Sequence, residues 1–115
     1  MTMEKVTYKE RPDETQLNVS IGIMITTIRF NIKEIEDGYE CEECHFKHKA
    51  PLTADDYSKL VAFLVRSRYS ADDVEAIQLN YIENKTEKHK NEFNALKEWR
   101  SECKETARRI LSIPD

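Results

Sequence analysis

The sequence predicts an α+β fold in which a three-stranded antiparallel β-sheet precedes three α-helices, the last of them long. Two patterns predict it: apolar residues alternate with polar ones over residues 17–48, and they recur every three or four positions over 53–111. The chain has 115 residues, 35% of them charged and only two of them glycine. This size and composition favour a single domain over residues 1–115 with few loops.

The alternating region predicts a β-meander of three strands. Their expected ranges are 17–25, 28–35 and 39–48. The alternation breaks at Thr26-Thr27, although the first two strands could instead be one long bent strand. Asp37-Gly38 is the strongest hairpin signal in the chain. Residues 1–16 carry little pattern, and we expect a loose arm or one short edge strand there.

The first predicted strand has a regular apolar pattern. Its apolar side chains are expected to share one buried face, which would make the strand half-buried. They are Leu17, Val19, Ile21, Ile23 and Ile25.

Two similar helix starts follow the sheet, at Thr53 and Ser70. Each offers a hydroxyl cap and two aspartates in the first turn, where the helix dipole favours negative charge. They predict helices over 53–67 and 71–83. The second helix is expected to bury a wide face made of Val74, Ile77, Leu79, Tyr81 and Ile82.

The third helix is predicted over residues 87–111. Its apolar stripe has steps of three and four and consists of Phe93, Leu96, Trp99, Cys103, Ala107 and Ile110. A basic ridge flanks the stripe, made of Lys90, Lys97, Arg100, Lys104 and Arg108. Like charges four residues apart repel one another, so an acidic protein surface or a second copy is a fitting partner. The alternative is a solvated face whose arginines partly compensate the negative charge of the aspartates that start the first two helices.

The candidate protein-binding residues are the last four members of the ridge, Lys97, Arg100, Lys104 and Arg108. Contact with nucleic acid has less support, because the pI is near 5.5 and a DNA-reading second helix would begin with Asp72 and Asp73. We expect a protein partner or self-association, and no small-molecule substrate is evident.

One stretch resembles a set of metal ligands: Cys41, Cys44, His45 and His48. Zinc favours these ligand types. In a strand, however, Cys41 and Cys44 point to opposite faces, and no glycine or proline lies between them to turn the chain. Zinc binding at this stretch stays the alternative to ordinary strand residues. We expect no metal, no cofactor, no catalytic residues and no enzymatic activity.

The apolar stretches are too short to cross a membrane. The longest, residues 21–28, falls well below the roughly 20 residues that a spanning helix needs. The first 16 residues lack the apolar core of a signal peptide, and three cysteines are an odd number for a disulfide framework. These features predict a soluble cytoplasmic protein.

Several short segments over about residues 38–111 resemble those of a known family. They are Gly38-Tyr39-Glu40-Cys41-Glu42-Glu43, Pro51-Leu52-Thr53, Arg66-Ser67-Arg68-Tyr69-Ser70-Ala71-Asp72-Asp73-Val74-Glu75-Ala76-Ile77, Asn80-Tyr81, Glu92-Phe93, Leu96, Trp99-Arg100 and Lys104. The chain is similar in these segments to small proteins encoded in prophage-like regions of gut Bacteroides relatives. Cys44 and the histidines that follow it depart from the family pattern.

The resemblance implies a phage or mobile-element product that acts through protein contacts, such as a minor virion or tail-assembly component. Its location would then be the bacterial cytoplasm or the virion. The alternative function is a small regulatory binding protein that contacts nucleic acid through the basic ridge.

Overall fold

The computed structural model describes residues 3–114, which form four β-strands and three α-helices. The chain divides into two compact units, the first ending at Asp55 and the second beginning at Asp56. All four strands lie in the first unit, called the sheet unit, and the three α-helices lie in the second, called the helical unit. The α+β class and the long last helix are confirmed. A single domain over 1–115 stays a prediction.

The sheet unit contains one more strand than the sequence predicted. The strands are β1 (Glu4–Tyr8), β2 (Thr15–Ser20), β3 (Ile23–Ile35) and β4 (Gly38–His48). They form one antiparallel sheet in the order β1-β4-β3-β2, so β1 and β2 are its edges. Within the segment expected to be a loose arm or edge strand, the described residues contain all of β1 and the start of β2.

The predicted first strand, 17–25, is wrong because the chain turns at Ile21-Gly22. Gly22 has a φ of +77°, a conformation that favours glycine, and the tight turn joins β2 to β3. The register pairs Leu17 with Thr26, so odd-numbered residues of β2 share a face with even-numbered residues of β3. Apolar residues continue to alternate with other residues through the turn, so the sequence pattern gives no sign that the chain turns there. Leu17 and Val19 therefore lie on the opposite face from Ile23 and Ile25.

The predicted break at Thr26-Thr27 is also wrong. Both threonines lie inside β3 and are buried. The Thr26 hydroxyl lies 2.8 Å from Nε2 of His48, and the Thr27 hydroxyl lies 2.9 Å from Nδ1 of His45. These cross-strand contacts, which the local sequence does not reveal, keep the polar pair in the sheet. β3 becomes irregular later, between Phe30 and Lys33.

The hairpin predicted at Asp37-Gly38 is confirmed, and it joins β3 to β4. Ile35 pairs with Gly38, so the turn residues are Glu36 and Asp37, one position earlier than a loop made of the dipeptide itself. Gly38 has a φ of +147°, and a Cβ there would overlap the backbone oxygen of Tyr8 on β1. The glycine is therefore needed for the close approach of the edge strand as well as for the turn.

The helical unit closely follows the sequence pattern. A 3₁₀ turn at Ala54–Asp56 precedes α1 (Tyr57–Arg68), and α2 (Ala71–Glu83) and α3 (Glu87–Leu111) follow. The predicted ranges of α2 and α3 are confirmed, whereas α1 begins four residues later than expected because the first turn is 3₁₀.

The start of α2 confirms its predicted cap. The Ser70 hydroxyl accepts a hydrogen bond from the Asp73 amide at 3.0 Å, and the Asp73 carboxylate accepts one from the Ser70 amide at 3.2 Å. This reciprocal capping box satisfies two of the amides that a helix start leaves without partners.

Burial differs between α3 and α2. Leu96, Trp99, Cys103 and Ala107 of the predicted α3 stripe are buried. The wide buried face predicted for α2 is wrong, because no residue of α2 is fully buried and Ile82 is 71% exposed. α2 packs mainly against α3, and this one neighbouring helix covers only part of the apolar face of α2.

Candidate functional site

A groove of about 420 Å³ lies between the three helices of the helical unit. Its floor is apolar and is contributed by α1 and α2, through Tyr57, Val61, Ala62, Val65, Ala71 and Val74. Its rim is polar and consists of Ser58, Arg66, Glu75, Gln78, Arg100 and Lys104. We call this feature the three-helix groove. It combines an apolar surface with charged side chains at its border, an arrangement typical of binding sites.

Packing between α1 and α3 fixes one wall of the three-helix groove. Leu60 and Leu64, four residues apart on α1, are fully buried, and Trp99 of α3 is 3% exposed. The Trp99 indole N–H donates to the Val65 carbonyl at 3.4 Å, and the Arg68 guanidinium lies 3.8 Å from the centre of the indole ring. This packing leaves the neighbouring face of α1 to form the floor of the groove.

The structure brings together two of the four predicted binding residues. Arg100 and Lys104, one helical turn apart on α3, both line the three-helix groove, and Arg66 of α1 joins them there. Within residues 3–114, none of these three cations pairs with a carboxylate. The rim thus has three basic side chains and, in Glu75, one acidic side chain. Its field favours a negatively charged ligand.

The other two predicted residues have different surroundings. The Arg108 guanidinium lies 5.9 Å from the ring centre of Tyr57, a residue of the groove floor, so it stands beside the groove without lining it. Lys97 lies elsewhere, with its ammonium 5.5 Å from the ring centre of Phe93 and with Glu98 and Glu102 around a separate shallow depression. The predicted ridge is therefore divided, and only its middle belongs to the groove.

The sheet unit contains a cluster of polar side chains that the sequence pattern does not predict. Arg29 on β3 and Glu43 on β4 are both buried, and Nε of Arg29 donates to Oε2 of Glu43 at 3.0 Å. The Tyr8 hydroxyl donates to the same oxygen at 2.6 Å, and the Arg29 guanidinium also donates to Oε1 of Gln16 at 3.0 Å and to the carbonyl of Asp13 at 2.8 Å. We call this group the Arg29 cluster. It ties β1, β2, β3 and β4 together.

The electrostatics of the Arg29 cluster favour a structural role. The hydrogen bond to Glu43, together with burial, raises the pKa of Tyr8 above its ordinary value, which keeps the phenol protonated. Burial alone would lower the pKa of Arg29, but hydrogen bonds with Tyr8 and Glu43 outweigh it and the pKa is raised. No buried side-chain nitrogen or oxygen of the described residues lacks a partner. The only sequence signal for the cluster is an arginine and a glutamate within strands. Exposed strand positions often carry the same residue types, so this signal does not identify a buried pair.

The stretch that resembles metal ligands divides between the two faces of β4. Cys41 pairs with Val6 of β1 and Cys44 pairs with Ile28 of β3, three positions apart on alternating faces. The His45 ring is hydrogen-bonded to the Thr27 hydroxyl, and the His48 ring is hydrogen-bonded to the Thr26 hydroxyl. Burial is the main cause that raises the pKa of the Cys41 thiol, and the charge of Glu43 raises it further. A raised pKa disfavours the reactive thiolate.

Among the described residues, no group of three or more His, Cys, Asp or Glu side chains is placed to hold a metal ion. No described helix has the length and apolar character needed to cross a membrane. In comparisons of the chain with known proteins, no family model, no curated protein and no solved structure matches it.

Proposed function

We propose that this chain is a non-enzymatic protein-binding module whose three-helix groove takes an acidic, amphipathic segment of a partner protein. The observation that carries the proposal is the apolar groove floor beside Arg66, Arg100 and Lys104, none of which pairs with a carboxylate of residues 3–114. An apolar stripe on the partner would cover the floor, and carboxylates would meet the three cations.

The charges around the groove also orient the partner. Arg100 and Lys104 lie on the α3 side, whereas Glu75 lies on the α2 side, close to Asp72 and Asp73 at the start of that helix. A segment that has carboxylates along just one flank fits this distribution of charge, with that flank against α3. A nucleic acid, which carries phosphates on every residue, would meet repulsion from the α2 side and would leave the apolar floor uncovered.

The wider role follows from the resemblance of residues 38–111 to prophage-encoded proteins. Within the proposal, the chain serves as a minor virion or tail-assembly component and acts in the bacterial cytoplasm or in the virion. Neighbouring genes test this role: tail or capsid genes beside this one would support it, and a cluster of metabolic genes would contradict it.

The binding experiment uses a helical peptide with leucines every three or four positions and glutamates along one flank. We expect backbone amide shifts confined to the groove residues of α1, α2 and α3 in an NMR titration. Arg100→Glu should weaken binding about ten-fold, which corresponds to about 1.4 kcal/mol. The matched control is Lys97→Glu, which changes charge equally on the same helix but outside the groove, and should bind like the wild type.

A second peptide, with glutamine in place of each glutamate, tests the role of charge. Weaker binding of this peptide supports an acidic partner. Equal binding of both peptides, or equal effects of Arg100→Glu and Lys97→Glu, would contradict the proposal. Binding of a DNA or RNA duplex that Arg100→Glu abolishes, with no binding of either peptide, would establish the regulatory alternative instead.

A further inference from the structure

The two edges of the sheet differ in their chemistry. β1 contains Glu4 and Lys5 among its five residues, whereas the stretch from Thr15 to Ile28 contains no charged residue. In a chain with 35% charged residues, this stretch is an exception, and it includes all of edge strand β2. Charged side chains protect edge strands from pairing with further strands, and β2 lacks that protection.

β2 also exposes large apolar side chains. Leu17 is 54% exposed and Val19 is 65% exposed, and both point to the same face of the sheet. Ile21, in the turn that follows, is fully exposed. An apolar row on an open sheet edge marks an association surface.

The outer edge of β2 offers backbone groups at the same residues. The Arg29 amide donates to the Glu14 carbonyl at 2.8 Å, so this pair at the start of the β2–β3 ladder is hydrogen-bonded. Bonded and non-bonded pairs alternate along an antiparallel ladder, so Asn18 directs its N–H and C=O toward β3. The N–H and C=O of Leu17 and Val19 therefore point away from the sheet.

We propose that β2 pairs with β2 of a second copy of this chain, antiparallel about a two-fold axis at Asn18. Leu17 of each copy then lies opposite Val19 of the other, and each of these pairs exchanges both N–H···O bonds. The apolar side chains of both copies fall on the same face, because paired residues differ by two positions. The two sheets join into one continuous sheet.

A second copy fits this edge because the strand is complementary to itself. Pairing about Asn18 sets an apolar residue opposite an apolar residue, an amide opposite an amide, and Gln16 opposite Ser20. It brings no charged side chains of the two strands together. No residue of β2 lines the three-helix groove.

Sedimentation of the full chain over a range of concentrations tests the pairing. We expect the wild type to dimerise, and Val19→Lys to weaken the dimer at least about ten-fold, since two added cations would face the interface. Thr7→Lys is the matched control, because it adds the same charge at an exposed position on the other edge strand and should dimerise normally. Circular dichroism checks that both variants are folded.

Cysteine crosslinking tests the position of the axis. Pairing about Asn18 places the two copies of this residue in a non-hydrogen-bonded pair, with Cα atoms about 4.5 Å apart, which a disulfide can bridge. Asn18→Cys should therefore form a covalent dimer under oxidation. Ser20→Cys should not, because its partner is Gln16. The three native cysteines are buried and do not compete.

Three outcomes would overturn the pairing. They are a wild-type monomer at every concentration, a dimer that Val19→Lys leaves intact, and crosslinking that is as efficient through Ser20→Cys as through Asn18→Cys. A monomer that instead binds an extended peptide along β2 would show that the edge serves another partner.

Discussion

The sheet unit and the helical unit bury different kinds of side chain. The sheet unit buries an ion pair, Arg29 with Glu43, beside apolar residues such as Ile28. The helical unit buries apolar side chains along α1 and α3, and its only buried polar residues within the described chain are Ser67 and Thr106. A buried charge tolerates only partners at defined positions, whereas an apolar seam tolerates any neighbour of suitable shape.

This difference separates two ways of specifying a fold. In the sheet unit, directional bonds from Arg29 reach β1, β4 and the segment 13–16, so one side chain fixes the positions of several strands. In the helical unit, the periodic spacing of the α3 stripe specifies the packing, and the buried residues of that stripe are hydrophobic. Substitutions should therefore have different consequences in the two units.

The largest expected effect is the loss of one partner of the ion pair. Glu43→Leu would leave the Arg29 guanidinium buried without its carboxylate, and we expect a cost of about 3–5 kcal/mol in the free energy of unfolding, measured by urea titration. Faster amide exchange should appear in β1 and β4. The double variant Glu43→Leu with Arg29→Met should be more stable than Glu43→Leu alone. Equal stability of the single and double variants would contradict a role for the uncompensated charge.

In the helical unit, the expected effect depends on burial alone. Leu96→Ala removes a side chain that is 5% exposed, so we expect a loss of about 2–5 kcal/mol. The fluorescence of Trp99, the only tryptophan, reports this unfolding. Ile82→Ala is the control and should change stability by less than about 0.5 kcal/mol, because Ile82 is largely exposed. Similar losses for the two variants would mean that α2 is covered in solution.

The smallest expected effect is a dependence of stability on alkaline pH that arises from Tyr8 in the sheet unit. The pKa of Tyr8 is raised in the folded chain, above its ordinary value of 10.0. As the pH rises past about 10, the unfolded chain releases this proton first, so the folded state binds more protons and stability falls. Below that pH the contribution is fully present.

Tyr8→Phe tests this pH dependence. The free energy of unfolding should decline less between about pH 8 and about pH 11 in Tyr8→Phe than in the wild type, measured by chemical denaturation. The difference between the two chains isolates Tyr8 from the lysines and cysteines that also titrate in this range. Parallel curves would show that Tyr8 has the same pKa in both states.

The candidate groove was partly predictable from the sequence. Arg100 and Lys104 follow from the helical spacing on α3, because residues four apart share a face. Arg66 and the apolar floor do not follow, since the sequence does not reveal which faces of α1 and α2 meet α3. For the same reason the helical spacing alone places Lys97 in the basic ridge, although it lies outside the groove.

Features that depend on residues near one another in the chain can be predicted from the sequence alone. These are the ends of α2 and α3, the buried stripe of α3 and the hairpin at Asp37-Gly38, which arise from capping, helical periodicity and turn preference. Three further features become visible only in the folded chain: the turn at Ile21-Gly22, the Arg29 cluster and the exposed face of α2. Each of these depends on a partner distant in the chain, and local patterns carry no information about which distant residues pair.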